Sequence, residues 1–182
     1  MSTDRALDRR VAAFAASASL ALAGCQATSD VFKLDSAPSA QPGAYGAVFI
    51  PRNGSVAGGN VRIVPRDDGI ALTVYVTGIP PGQFRIVFHA NGNCSSPNAF
   101  SAGPPWSPPG VDAARLPMLA SSSDGTALLS VRVRGYKLDG PDGLLGKAVV
   151  LHEATSPLDA QPGVPNGRLA CGVIGPLRTF SL

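Results

Sequence analysis

From residue 44 onward, apolar and polar residues alternate in short runs, and Gly, Pro, Asn and Asp separate the runs. In residues 71–77, Leu72, Val74 and Val76 fall on one face, and Thr73, Tyr75 and Thr77 on the other. In residues 127–135, Val131 and Val133 point one way, and Arg132 and Arg134 the opposite way. A period of two is that of a β-strand, whose successive side chains alternate between faces. The pattern predicts strands at 44–50, 61–65, 71–77, 84–89, 127–135 and 148–153, with a last one after Cys171. No helical stripe of ten residues interrupts them. One buried face and one wet face argue for an all-β protein, an antiparallel sandwich or barrel. Residues 95–119 break the alternation and carry six prolines. A loop that long inside a compact domain is usually functional, or descended from something functional.

The first residues follow another pattern. Arg5, Arg9 and Arg10, diluted by Asp4 and Asp8, precede the apolar run VAAFAASASLALA at 11–23. The run is shorter than the roughly 20 residues that span a bilayer, and a basic start before it reads as a secretory signal. It ends Leu22-Ala23-Gly24-Cys25, which resembles the bacterial lipobox. That resemblance implies cleavage before Cys25 and acylation of the cysteine, hence a membrane partner reached through lipid chains. A plain signal peptide with a chance cysteine is the alternative. Gln26 stands where an inner-membrane retention signal would have Asp, so the expectation is the periplasmic side of the outer membrane of a bacterial envelope. Residues 26–43 are small and polar with two prolines and read as a tether, or as an extra edge strand around 31–34. The expected organisation is a lipoprotein signal peptide at 1–24, a lipidated N-terminus and flexible tether at 25–43, and one domain at 44–182.

Composition narrows the chemistry. The 182 residues are 45% hydrophobic and 15% charged, and the 21 Gly and 17 Pro stop short of low complexity, which starts at roughly 25–30% of those residues. This excludes a disordered chain, a collagen and a coiled coil. Without residues 1–24 the chain keeps 12 basic and 10 acidic side chains, a formal charge of +2. No basic run is present, so no nucleic-acid partner is expected. Two histidines and one glutamate, Glu153, exclude a four-histidine metal site and a two-glutamate hydrolase. If Cys25 is lipidated, Cys94 and Cys171 remain, and an oxidising compartment favours their pairing over two free thiols.

Four ordered blocks then carry a resemblance. Pro80-Pro81-Gly82 leads into His89-Ala90-Asn91-Gly92-Asn93-Cys94. Ser101-Ala102-Gly103-Pro104 comes next. Leu144-Leu145-Gly146-Lys147 continues through Ala148-Val149-Val150-Leu151-His152-Glu153. Asn166-Gly167-Arg168-Leu169-Ala170-Cys171-Gly172 closes the set. Together they resemble the copper–zinc superoxide dismutase family from about residue 44 to the end. The resemblance implies an eight-stranded Greek-key barrel, a Cys94–Cys171 disulfide, and Arg168 in the position of the arginine that attracts the anionic substrate.

It also implies seven metal-ligand positions, of which this sequence keeps two, His89 and His152. The first copper histidine is replaced by Val87 and the bridging histidine by Pro105. The zinc aspartate would precede Leu116-Pro117, where Ala114-Arg115 stands, and the aspartate that ties the two metal sites together would fall in 154–157, Ala-Thr-Ser-Pro. His89 and His152 are therefore read as a pair of neutral histidines hydrogen-bonded in a vestigial pocket; the alternative is that they hold copper, in a near-linear Cu(I) site, and zinc is not expected. Met118 is the remaining soft ligand. Arg168 is read as structural, binding carbonyls near the Cys94 loop. Trp106 either covers the old metal pocket or meets a partner. The expected function is an envelope lipoprotein whose domain is catalytically degenerate and serves in binding or structure, with an unknown protein or small ligand as partner. A copper-handling protein and an unconventional superoxide dismutase are the alternatives.

Overall fold

Runs of alternating residues become strands because one side of each can leave water while its backbone pairs with neighbours. A computed structural model describes residues 44–112, 116, 118–158 and 167–177. The strands are β1 Tyr45–Pro51, β2 Gly58–Arg66, β3 Gly69–Thr77, β4 Gly82–His89, β5 Met118–Ser121, β6 Ala127–Arg134, β7 Ala148–Glu153, β8 Arg168–Val173 and β9 Gly175–Pro176. The described residues add one 3-10 turn, Phe100–Ala102. The chain divides into two units, Met1–Ala37 and Pro38–Leu182. All described residues belong to the second. The expected signal peptide at 1–24, Cys25 and the expected tether at 25–43 lie outside the described residues.

All strand pairs are antiparallel, in the order β5-β4-β7-β8-β1-β2-β3-β6, with β9 beside β1. The ends of this path, β5 and β6, lie next to each other, so eight strands form a nearly closed barrel. The connections β3–β4 and β6–β7 join strands that are not neighbours, which gives the Greek-key character. In β3, Ile70, Leu72, Val74 and Val76 are buried while Tyr75 faces water, as the alternation predicts. Each such side chain contributes about 1.5–3 kcal/mol on burial. They join Phe49, Ile63, Phe84, Phe88 and Leu151 in the barrel core.

Two expectations need correction. Residues 95–119 are not all loop, since Met118 begins β5, a four-residue strand pairing with β4 from Gly82↔Ser121 to Arg85↔Met118. Four residues are too few for alternation to show. The last main strand begins at Arg168, ahead of Cys171, because the Gly and Cys around it conceal its period.

Candidate functional site

Side chains of residues paired across a sheet share a face. Arg85 of β4 pairs with His152 of β7, Val87 with Val150, and His89 with Ala148. These stand on the face turned away from Phe84, Ile86 and Phe88, which belong to the barrel core. That outer face should be wet, yet His89, Val87, Val150 and His152 are all buried. The segment from Cys94 to Pro105 covers it. Cys94, Ala99 and Ala102 pack on Ala148, Val150 and Cys171 as a small second core. Small side chains let the segment lie close to the sheet.

Several anchors hold this cover. Cys94 and Cys171 are joined in a disulfide with Cα atoms 5.7 Å apart. The Arg52 Nε and Nη2 groups both donate to the Cys94 carbonyl, and the Asn53 amide donates to the Pro97 carbonyl at 2.7 Å. Arg168 is wholly buried. Its Nη1 donates to the Ala99 carbonyl at 2.8 Å and its Nη2 to that of Gly103 at 3.3 Å, with the Phe100 ring 5.4 Å away. The arginine matched to the family's substrate-attracting position is thus engaged with backbone.

Gly103 has φ +76°, and a Cβ there would come within 2.7 Å of Asn91 Nδ2. This left-handed turn aims its carbonyl at both Arg168 and His89. The His89 Nδ1 lies 2.9 Å from that carbonyl, and the His89 and His152 Nε2 atoms lie 3.0 Å apart. The rings are parallel within 7°, with centroids 5.3 Å apart. One proton arrangement satisfies these contacts. A carbonyl only accepts, so His89 Nδ1 carries the hydrogen and His89 Nε2 is bare. His152 Nε2 then donates to it, and His152 Nδ1 is left bare, buried and without a partner. Burial is the main reason that the pKa of His89 falls to about 4, with the charge of Arg168 adding to it. Burial, then the charges of His89, Arg168 and Arg85, takes His152 down to about 3. Both rings are neutral at pH 7.

The sites of the replaced ligands are filled. Val87 is 1% exposed and sits against Val150. Pro105 forms an isolated bridge with His89, flanked by bonds from the Ala90 amide to Pro104 and from the Trp106 amide to Phe88. Proline suits this edge position, where it need not donate. Trp106 packs on the main core, its ring 6.3 Å from Tyr136 and under the Lys147 ammonium at 4.2 Å. Met118 is exposed, and its register partner Arg85 also pairs with His152. Two strand spacings, about 10 Å, therefore separate the backbones of Met118 and His152. Ala114, Arg115 and Pro117 lie outside the described residues.

Two residues here escape the sequence reading. Arg52 gives no signal before the fold places it under Cys94. Arg85 does, because it shares the period-two face of Val87 and His89, and its guanidinium binds the Ala154 carbonyl.

Metal–nitrogen bonds of about 2.0 Å would put donors on opposite sides of a metal about 4 Å apart. At 3.0 Å, the two Nε2 atoms are spaced instead as neighbouring ligands at about a right angle. A near-linear Cu(I) site therefore does not match this geometry. Cu(II) prefers a tetragonal set of donors, and Val87 and Pro105 supply none. Among the described residues no three of His, Cys, Asp or Glu come together as a metal site. The residues present do not fit the family's copper–zinc centre.

Barrel topology and disulfide-held cover define the class of protein, a Greek-key barrel with a loop closed over one sheet face. The copper/zinc superoxide dismutase family model matches residues 57–174, and the chain belongs to that family. The crystal structure of the clock protein EA4 is similar, with a TM-score of 0.60 and 27% identity over 75% of this chain and 96% of that one.

Proposed function

We propose that this chain is an envelope lipoprotein whose superoxide dismutase-like domain has given up dismutation and acts through binding. The observation that supports this most directly is the Nε2–H···Nε2 bond between His89 and His152 at 3.0 Å. It spends the nitrogens that would face a copper ion on one another. Val87 and Pro105 fill the neighbouring ligand positions with hydrocarbon. Dismutation needs a metal held through both oxidation states, and two imidazoles leave half of its coordination to water.

The test is a dismutase assay on protein loaded with copper and zinc. Activity should not exceed that of the same copper free in buffer. Chelator-sensitive activity in the wild type that disappears in His89→Ala or His152→Ala overturns the reading.

The spacing of the Nε2 atoms supports a second reading, copper handling through two adjacent nitrogens. Stoichiometric copper retained after dialysis by the wild type, and lost from both alanine variants, would favour it. Copper-free wild type would remove it.

A further inference from the structure

The segment from Cys94 to Pro105 closes one outer face of the barrel. On the other, formed by β8, β1, β2, β3 and β6, apolar side chains meet water. Val48 pairs with Asn60, Asn60 with Tyr75, and Tyr75 with Leu128. The register of β1 is the same on both sides of Val48, at Ile50↔Cys171 and at Gly46↔Gly175, which sets Val173 beside it. Paired residues share a face. Val173, Val48, Asn60, Tyr75 and Leu128 therefore make one row across five strands, about 19 Å long at the usual strand spacing. Ile50 follows Val48 on the same face. Val48, Ile50, Tyr75, Leu128 and Val173 are 43–70% exposed, and they are five of the eight large apolar residues left so exposed among the described residues. Single exposed apolar residues need no explanation, but a contiguous row marks a contact surface.

Two observations say what covers it. The outward positions toward one end of the same strands carry Arg62 and Arg66 of β2 and Arg132 and Arg134 of β6, against Asp67 and Asp68 in the turn between β2 and β3. The formal excess is two positive charges, which suits an anionic surface. The second is where the chain enters. β1 starts at this basic end, since Tyr45 pairs with Ile63 and Phe49 with Gly59. Twenty residues lie between Cys25 and that point, at most about 70 Å of chain. An acylated Cys25 thus holds the domain beside lipid at an effective concentration in the millimolar range, where even a weak contact is populated.

We propose that this face docks on the surface of a lipid bilayer with anionic headgroups. The inference rests on the lipoprotein reading and deepens it. Val48, Tyr75, Leu128 and Val173 enter the boundary between headgroups and acyl chains, where tyrosine presents an apolar body and a polar tip. The arginine end meets the phosphates. The face that carries the disulfide and the histidine pair then points away from the membrane.

The test uses the chain purified from the envelope and incorporated into vesicles of phosphatidylcholine and phosphatidylglycerol, the phosphatidylcholine brominated on its acyl chains. Trp106 is the single tryptophan, so the wild type gives the background and Tyr75→Trp reports the face. Co-flotation with the vesicles reads the anchor. Quenching of Tyr75→Trp in excess of the wild type reads docking. Excess quenching is expected, weaker in phosphatidylcholine alone, and about tenfold less of the chain should be docked when Val48→Asp and Leu128→Asp are added. Failure to float overturns the anchor and this proposal with it. Flotation without excess quenching overturns this proposal alone, whether or not the aspartate variant folds. Quenching equal in the two lipids, or unchanged in a folded aspartate variant, overturns it too. So does a dimer in lipid-free solution that the aspartates dissociate, which would give the face to a second copy of the chain.

Discussion

His89 and His152 are the clearest case of residues whose setting governs their chemistry. Unfolded, each takes up a proton near pH 6.5; folded, they resist protonation down to about 4 and about 3. Between these limits the unfolded chain binds more protons, so stability falls as pH falls from 6.5 toward 4. Each histidine adds a slope of up to about 1.4 kcal/mol per pH unit. Urea unfolding of the wild type and of His89→Gln/His152→Gln across pH 4.5–7.5 should show a steeper loss in the wild type, and parallel curves would contradict the neutral pair. Gly103 carries a second prediction at this scale. Alanine there must adopt φ +76° and push Asn91 aside, at a cost of about 1–3 kcal/mol, read as a lower urea midpoint. The sequence made the histidines, Val87 and Pro105 legible, because strand register fixes who shares a face. It could not show the Nε2–Nε2 bond, which depends on ring positions set by the Gly103 carbonyl.

Among the elements, the segment from Cys94 to Pro105 does most to change the pattern the sequence predicts. It turns one end of β4 and of β7 from half-wet to buried on both faces, which accounts for the unbroken apolar run Ala148-Val149-Val150-Leu151. That run was readable as a strand, but its second covering was not. The disulfide joins this cover to β8 across 77 residues. Cys94→Ala or Cys171→Ala should therefore destabilise the domain by about 2–5 kcal/mol and speed hydrogen exchange at the amides of residues 99–103. Peptide mapping without reductant should recover Cys94 joined to Cys171. Two alkylatable thiols in the purified protein would refute the pairing. The missed strand β5 shows the opposite limit. Its pairing with β4 comes from tertiary contact, and four residues after a proline-rich stretch hold no periodic signal.

For the whole molecule, the barrel was legible because most strands alternate and four sequence blocks keep family order. Attachment to a membrane rests on Leu22-Ala23-Gly24-Cys25, outside the described residues. If Cys25 is acylated, cells fed a fatty-acid analogue should label the wild type and not Cys25→Ser. Equal labelling of both would end the lipoprotein proposal. The place of β8 has a further consequence. Arg168–Val173 lies between β7 and β1, pairing with both. A chain made from its N-terminus thus has β1 through β7 in hand while the barrel still lacks the stave that closes it. Until residue 173 is available, β1 and β7 each present an open edge, the kind of surface on which strands of other molecules add. Arg168 and Cys171 ride on the same stave, so the insertion that seals the wall also brings the guanidinium and the thiol that lock the cover. Assembly is back-loaded, and a chain cut short by some fifteen residues would lose closure, clasp and cover together.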